Sequence, residues 1–100
     1  PFYHGDKLAL YEKIAKGKFL FPFDVKVSPE SKELIRKLLV STPTRRLGCF
    51  GLYDLDVRRH PWFKRIRFKH LRERKVSPPF VPVVGDPFDT RFFDDWSDLE

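Results

Sequence analysis

Four prolines between positions 78 and 87, Pro78, Pro79, Pro82 and Pro87, set the first limit on what this chain can fold into. Each lacks a backbone donor and fixes φ, so no regular helix can run through that part of the chain. Whatever core exists must come from roughly the first 75 of the 100 residues. A freestanding domain of this length buries only about two thirds of its unfolded surface, so its core has to be efficient. The aromatic side chains do not promise one. Phe19, Phe21, Phe23, Phe88, Phe92 and Phe93 sit outside any amphipathic pattern. Rings of that kind need a surface to bury against, and so short a chain is hard pressed to supply it.

The pattern of the first 75 residues is helical. Ser28–Val40 is the clearest element. Ser28 suits an N-cap, Pro29 the first helical position, and Glu30 the positive end of the helix dipole. Leu34, Ile35, Leu38 and Leu39 then form a stripe at helical spacing, and Pro43 stops it. Asp6–Lys16 reads as a shorter helix, capped by Asp6, ended by Gly17, with Leu10, Tyr11 and Ile14 on one face. Lys18–Val27, with Pro22 inside it, is an extended connector. Thr44–Gly51 is a basic turn region, Asp54–His60 a short helix before Pro61, and Phe68–Arg74 one further turn or two. The expectation is a mainly α body over residues 1–75 and an extended tail over 76–100 that orders on contact.

Charge is unevenly placed on this +6 chain. Residues 58–75 carry nine Lys and Arg against Glu73, and residues 86–100 carry six acids against Arg91. That polarity fits a nucleic-acid patch, helped by Trp62, Phe63 and Phe68, or equally an acidic tail folding over a basic surface. No nucleic-acid motif accompanies the charge, and a solvated basic face is the plainer reading. A single cysteine, Cys49, excludes an intrachain disulfide and fits a reducing compartment. No apolar run approaches the ~20 residues of a membrane span, so a cytoplasmic segment is expected, with the nucleus as an alternative.

Catalytic chemistry is absent from the residues. His4, His60, His70 and Cys49 lack metal-ligand spacing, and no Gly-rich phosphate loop or Ser-His-acid arrangement occurs. Asp94 and Asp95 are adjacent, so in an extended segment they point to opposite faces and make no paired-carboxylate site. Neither a catalytic nor a metal site is expected.

Taken in order, short words of the sequence resemble the end of the large lobe of AGC-type serine/threonine protein kinases. Pro1-Phe2-Tyr3 looks like the approach to that family's G helix, and Leu10–Ile14 with Gly17-Lys18 and Phe21-Pro22 like the helix and its exit. Ser31–Leu39 resembles the H helix, and Thr44–Gly48 the T-x-R-L-G element. His60-Pro61-Trp62-Phe63 is similar to the terminal H-x-W-F element of the I-helix region. Arg74-Lys75 through Pro79–Pro82, then Asp89-Thr90 and Phe93–Trp96, resemble the AGC tail, the last most similar to cyclic-AMP-dependent kinases and then to cyclic-GMP-dependent ones. Departures are Thr42 for the usual aspartate, a connector about two residues longer at Asp24–Val27, and Trp96 for tyrosine. The tail also stops at Glu100, before the family's hydrophobic motif.

The resemblance implies ATP-dependent phosphoryl transfer, with Mg, to Ser or Thr of proteins in a full-length enzyme. None of the required elements lies within residues 1–100: no Gly-rich loop, strand lysine, H-R-D or D-F-G. Alone, the segment is expected to be inactive and to bind no cofactor. By the same resemblance Tyr11 and Tyr3 dock a cAMP-binding regulatory subunit or a pseudosubstrate inhibitor, and Arg46 pairs with the glutamate of the A-P-E motif, which this chain lacks. Phe93 reaches across to the adenine pocket. The partners implied are the rest of the kinase domain, regulators and protein substrates, with no membrane and no nucleic acid. Two alternatives stay open: a small basic nucleic-acid-binding domain, and a truncated kinase-like docking decoy.

These readings separate on one measurement. Followed by circular dichroism, the 100 residues expressed alone are expected to melt broadly and without cooperativity; a sharp cooperative melt would make the chain a domain in its own right.

Overall fold

The computed structural model describes residues 1–96, and the last four residues of the tail expected at 76–100 lie outside them. All regular structure among the described residues is helical. The chain divides into two units, Pro1–Arg67 and Phe68–Glu100.

The first unit contains α1 (Lys7–Lys16), α2 (Pro29–Leu38) and α3 (Asp54–Arg58), with 3-10 turns at Pro43–Arg45 and Pro61–Phe63. α1 begins where Asp6 accepts a bond from the Ala9 amide at 3.4 Å. It ends at Gly17, whose φ of 67° places it in the left-handed region and whose amide reaches the carbonyls of Lys13 and Ile14. α2 begins at Ser28, whose hydroxyl accepts from the Ser31 amide at 3.2 Å while Ser31 Oγ donates back to the Ser28 carbonyl at 2.9 Å. An N-cap of this kind contributes about 1 kcal/mol. Ten-residue helices are marginal in isolation, so packing has to supply the rest.

That packing converges on α2. Of its stripe, Leu34 is buried, Ile35 and Leu39 are half-buried, and Leu38 lies at the edge of exposure. Leu34 is the one buried apolar side chain among the described residues. Burying a leucine contributes about 2 kcal/mol, far below the ordering entropy of a unit this size. The chain that follows is instead laced to α2 by polar bonds. Leu47 N donates to the Lys37 carbonyl at 3.0 Å, and the 3-10 turn at Pro61–Phe63 packs against the helix. Gly17 seats so close to Ser41 that a Cβ there would stand 2.8 Å from the Ser41 Cβ.

The connector is more ordered than its composition suggests. Phe2, Phe19 and Phe21 form an edge-to-face ladder with centroids 5.7 and 5.5 Å apart. Arg36 and Lys32 of α2 lie over the Phe21 ring at 5.0 and 5.7 Å. Phe23 finds no such shelter and is fully exposed. The face of α1 expected from Leu10, Tyr11 and Ile14 has little cover: Leu10 is half-buried and the other two are exposed.

The second unit holds α4 (Phe68–Arg72), which closes with Glu73 N on the Lys69 carbonyl and Lys75 N on the His70 carbonyl. Arg74 between them sits at φ 59°. From Val76 to Val84 there is no regular structure, as the prolines require. Residues 85–93 then form a hydrogen-bonded turn.

Gly17→Ala adds a left-handed cost of about 1–2 kcal/mol to the clash with Ser41. Faster amide exchange through α1 is the expected outcome. Adding Ser41→Gly should restore part of the protection, since it removes the clash and leaves the φ cost; equal protection in Gly17→Ala and the parent chain would refute the account.

Candidate functional site

Four side chains carry the functional expectations, and the structure places three of them in the first unit. Tyr3 precedes α1 and is largely exposed. Its carbonyl accepts from Lys13 Nζ at 3.5 Å, which ties the leading segment to the helix. Its ring lines an open hollow of about 410 Å³ with Pro1, Phe19, Leu20, Phe21, Pro22 and Ile35. The hollow is walled by rings and aliphatic groups, so it suits an apolar side chain rather than a phosphate. Tyr11 does not line it. It projects from the middle of α1, 61 % exposed, beside the exposed Ile14. These two tyrosines therefore present separate exposed positions, not a shared pocket.

Arg46 has no carboxylate partner among the described residues. Its guanidinium turns inward on the end of α2, with Nε donating to the Val40 carbonyl at 2.8 Å and Nη2 to the Ser41 carbonyl at 3.3 Å. Half-buried, it ties the two residues that leave α2 beyond its Leu39 cap. A guanidinium has five donors in a planar fork, so these two bonds leave others available.

His60 is the residue whose role sequence reasoning did not reach. It is buried, and its Nδ1 accepts from the Trp62 amide at 3.1 Å, capping the 3-10 turn. A neutral ring that accepts at Nδ1 carries its proton on Nε2. That Nε2 stands 3.9 Å from Glu33 Oε1 and makes no hydrogen bond. Glu33 itself is bonded by Lys37 at 2.7 Å, and this ammonium, more than the nearby His60, holds the Glu33 carboxyl below the usual range. Asp56 Oδ2 is a second buried polar atom without a hydrogen-bond partner among the described residues. Each such orphan costs about 1–3 kcal/mol until something satisfies it. The adjacent aromatic pair is half sheltered: Trp62 stacks edge-to-face on Phe63 at 4.8 Å and remains partly exposed.

Phe93 lies in the second unit. Its ring is 78 % exposed, but its backbone is fixed, with the amide donating to the Thr90 carbonyl at 2.9 Å. The turn before it is organised by Asp89, which accepts from Gly85 N at 2.8 Å and Arg91 N at 3.0 Å and pairs with the Arg91 guanidinium at 2.6 Å. The Gly85 amide, then the side chain and amide of Arg91, hold the Asp89 carboxyl below its ordinary range, against a smaller opposing effect of desolvation. The signal for this turn was present as Gly85-Asp86-Pro87 followed by Asp89, though its closure on Arg91 was not.

No three His, Cys, Asp or Glu side chains among the described residues could share a metal ion. No helix among them is long and apolar enough to cross a membrane.

No family model matches the chain. Individual relatives do, along its full length. It is 39 % identical over 100 residues to cAMP-dependent protein kinase catalytic subunit 3 of Drosophila melanogaster. It is 38 % identical over 102 residues to the cAMP-dependent protein kinase catalytic subunit of Dictyostelium discoideum. RAC-beta serine/threonine-protein kinase B of Xenopus laevis matches 95 % of the chain at 41 % identity. The chain spans only 17 %, 15 % and 19 % of these three relatives.

The Asp89 turn carries a pH signature. A carboxyl whose folded pKa is depressed contributes order that is fully present above its unfolded value near 3.9 and is lost as pH falls through the lower folded value. In the isolated chain, the Gly85 amide resonance should stay constant down to about pH 4 and move below it. Movement centred above pH 4 would contradict the bonds described.

Proposed function

We propose that this chain, homologous along its whole length to a segment of AGC-type serine/threonine protein kinases, works as the C-terminal part of such an enzyme. Residues 1–75 are the end of the large lobe, with its G, H and I helices; α1 and α2 stand in the places of the G and H helices. Residues 76–100 are an incomplete AGC tail. In the full-length protein the activity is ATP-dependent phosphoryl transfer to Ser or Thr of proteins with basic flanks, in the cytoplasm and, by the same reading, the nucleus.

The observation that carries this reading is exposure. Tyr11 and Ile14 of α1, Leu20 and Phe23 of the connector, and Phe88, Phe92 and Phe93 of the tail are all exposed, while Leu34 alone is buried among the apolar residues described. Apolar surface on that scale marks an interface, and the rest of a kinase domain is the partner that covers it. The buried orphans His60 Nε2 and Asp56 Oδ2 point the same way, as does the inward Arg46 with donors to spare for the A-P-E glutamate.

ATP and Mg belong to the full-length enzyme. The hollow beside Tyr3 is apolar, and among the described residues no three His, Cys, Asp or Glu side chains could share a metal ion. On this reading the work of the segment is structural. α2 and Arg46 brace the substrate lobe, Tyr3 and Tyr11 dock a cAMP-binding regulatory subunit or a pseudosubstrate inhibitor, and Phe93 completes the adenine pocket.

Two results test this. The isolated chain should bind no ATP in titration calorimetry at about 1 mM, the upper end of usual Michaelis constants. Tyr11→Ala in the full-length kinase should weaken regulatory-subunit binding about tenfold or more, as loss of an exposed aromatic anchor does, with peptide phosphorylation unchanged. Nucleotide binding by the chain alone, or unaltered regulator affinity in the variant, would each remove a part of the proposal.

A further inference from the structure

Asp89 is the exception in a long exposed run. Every described residue from Leu71 to Trp96 is exposed apart from this one, whose carboxylate makes three contacts. Its Oδ2 receives the Gly85 amide at 2.8 Å and meets Arg91 Nη2 at 2.6 Å, while Oδ1 receives the Arg91 amide at 3.0 Å. One carboxylate thus closes the chain from residue 85 to residue 91. Asp86 supports it from inside: Oδ1 accepts from Phe88 N at 2.8 Å and the carbonyl from Asp89 N at 3.1 Å. The next turn, Phe93 N to the Thr90 carbonyl, begins directly on the closed loop.

Arg91 is the only cation in the sequence from 86 to 100. The Asp89 carboxylate that meets it is already held by two backbone amides, so the pairing costs little additional ordering. A Cβ at Gly85 would lie 3.3 Å from Arg91 Nη2 and 3.5 Å from Asp89 Oδ2, so these side chains close directly over the glycine. All of these groups lie within one short segment, so the closure needs nothing from outside the tail.

We propose that Asp89 is a positioning residue for nucleotide binding: by closing residues 85–91 it delivers Phe93 to the adenine pocket already shaped. It touches no nucleotide itself. The inference rests on the reading of Phe93 as the tail's adenine contact. A segment that must order as it binds loses affinity in proportion to the fraction of time it is competent, and prior closure removes that loss. Asparagine cannot replace the aspartate, because it offers one acceptor oxygen where three donors converge and turns an amide toward the Arg91 cation.

The test uses the full-length kinase that contains this chain. Asp89→Asn should raise the KM for ATP about tenfold. kcat and the peptide KM should stay within about twofold, a pattern that loss of global stability does not produce. Arg91→Lys, which keeps the charge, should fall between the variant and the parent. Phe93→Ala should raise the KM for ATP as well, and the double variant Asp89→Asn/Phe93→Ala should be no worse than Phe93→Ala, since both act through one ring. If Phe93→Ala raises the KM and Asp89→Asn does not, the positioning role is wrong and the tail reading stands. Additive effects in the double variant would also overturn the role. A Phe93→Ala enzyme with an unchanged KM would overturn the tail reading and this inference together.

Discussion

Everything in the first unit hangs on the C-terminal end of α2. A helix leaves its last carbonyls without internal donors, and here the chain returns to supply them or to anchor beside them. Leu47 N reaches Lys37, and the Arg46 guanidinium reaches Val40 and Ser41 just beyond the helix. The exit of α1 seats against Ser41 through a glycine with no Cβ to hold it off. From the opposite direction His60 sets its ring against Glu33 and caps the turn that packs on α2. The unit is a set of polar ties to one helix around a single buried leucine.

The second unit shows the same economy in another form. Its order is local: α4 is one short helix, and the 85–93 turn is closed by side chains within a few residues of each other. Such order survives without a shared apolar core because charge-assisted bonds between neighbours in sequence lose little loop entropy on closing. What neither unit does is bury most of its aromatic residues, and those exposed rings, together with the similarity to kinase segments, are what the proposed function rests on.

Helix ends were readable to within two residues. Asp6, Gly17, Ser28 and Pro29 each act on backbone groups no more than four residues away, so their chemistry is complete in the local sequence. The stripe of α2 was readable for the same reason. The inward turn of Arg46 was not, because the family resemblance supplied a carboxylate partner outside the chain and gave no hint of nearer carbonyls. Burial of His60 depends on where the chain travels between Leu39 and Pro61, which no local pattern records. Tyr53 at φ 47° is likewise unannounced, as a tyrosine carries no preference for that conformation. Of the candidate site, the identities of Tyr3, Tyr11, Arg46 and Phe93 came from resemblance, and their exposure or bonding had to come from coordinates.

The exposure of the rings and the tight seat of Gly17 together invert the usual map of mutational tolerance. In a self-sufficient domain the large apolar residues are the ones that resist change. In this chain Phe23, Phe88 and Phe93 touch little, so their replacement leaves the local structure intact, whereas adding one methyl group at Gly17 does not. A screen that scored only folding of these residues would rank the aromatics as dispensable and the small polar residues at the ends of α1 and α2 as critical. Selection in the living cell would read the aromatics through whatever surfaces they meet, and the difference between those two rankings would itself trace the outline of those surfaces.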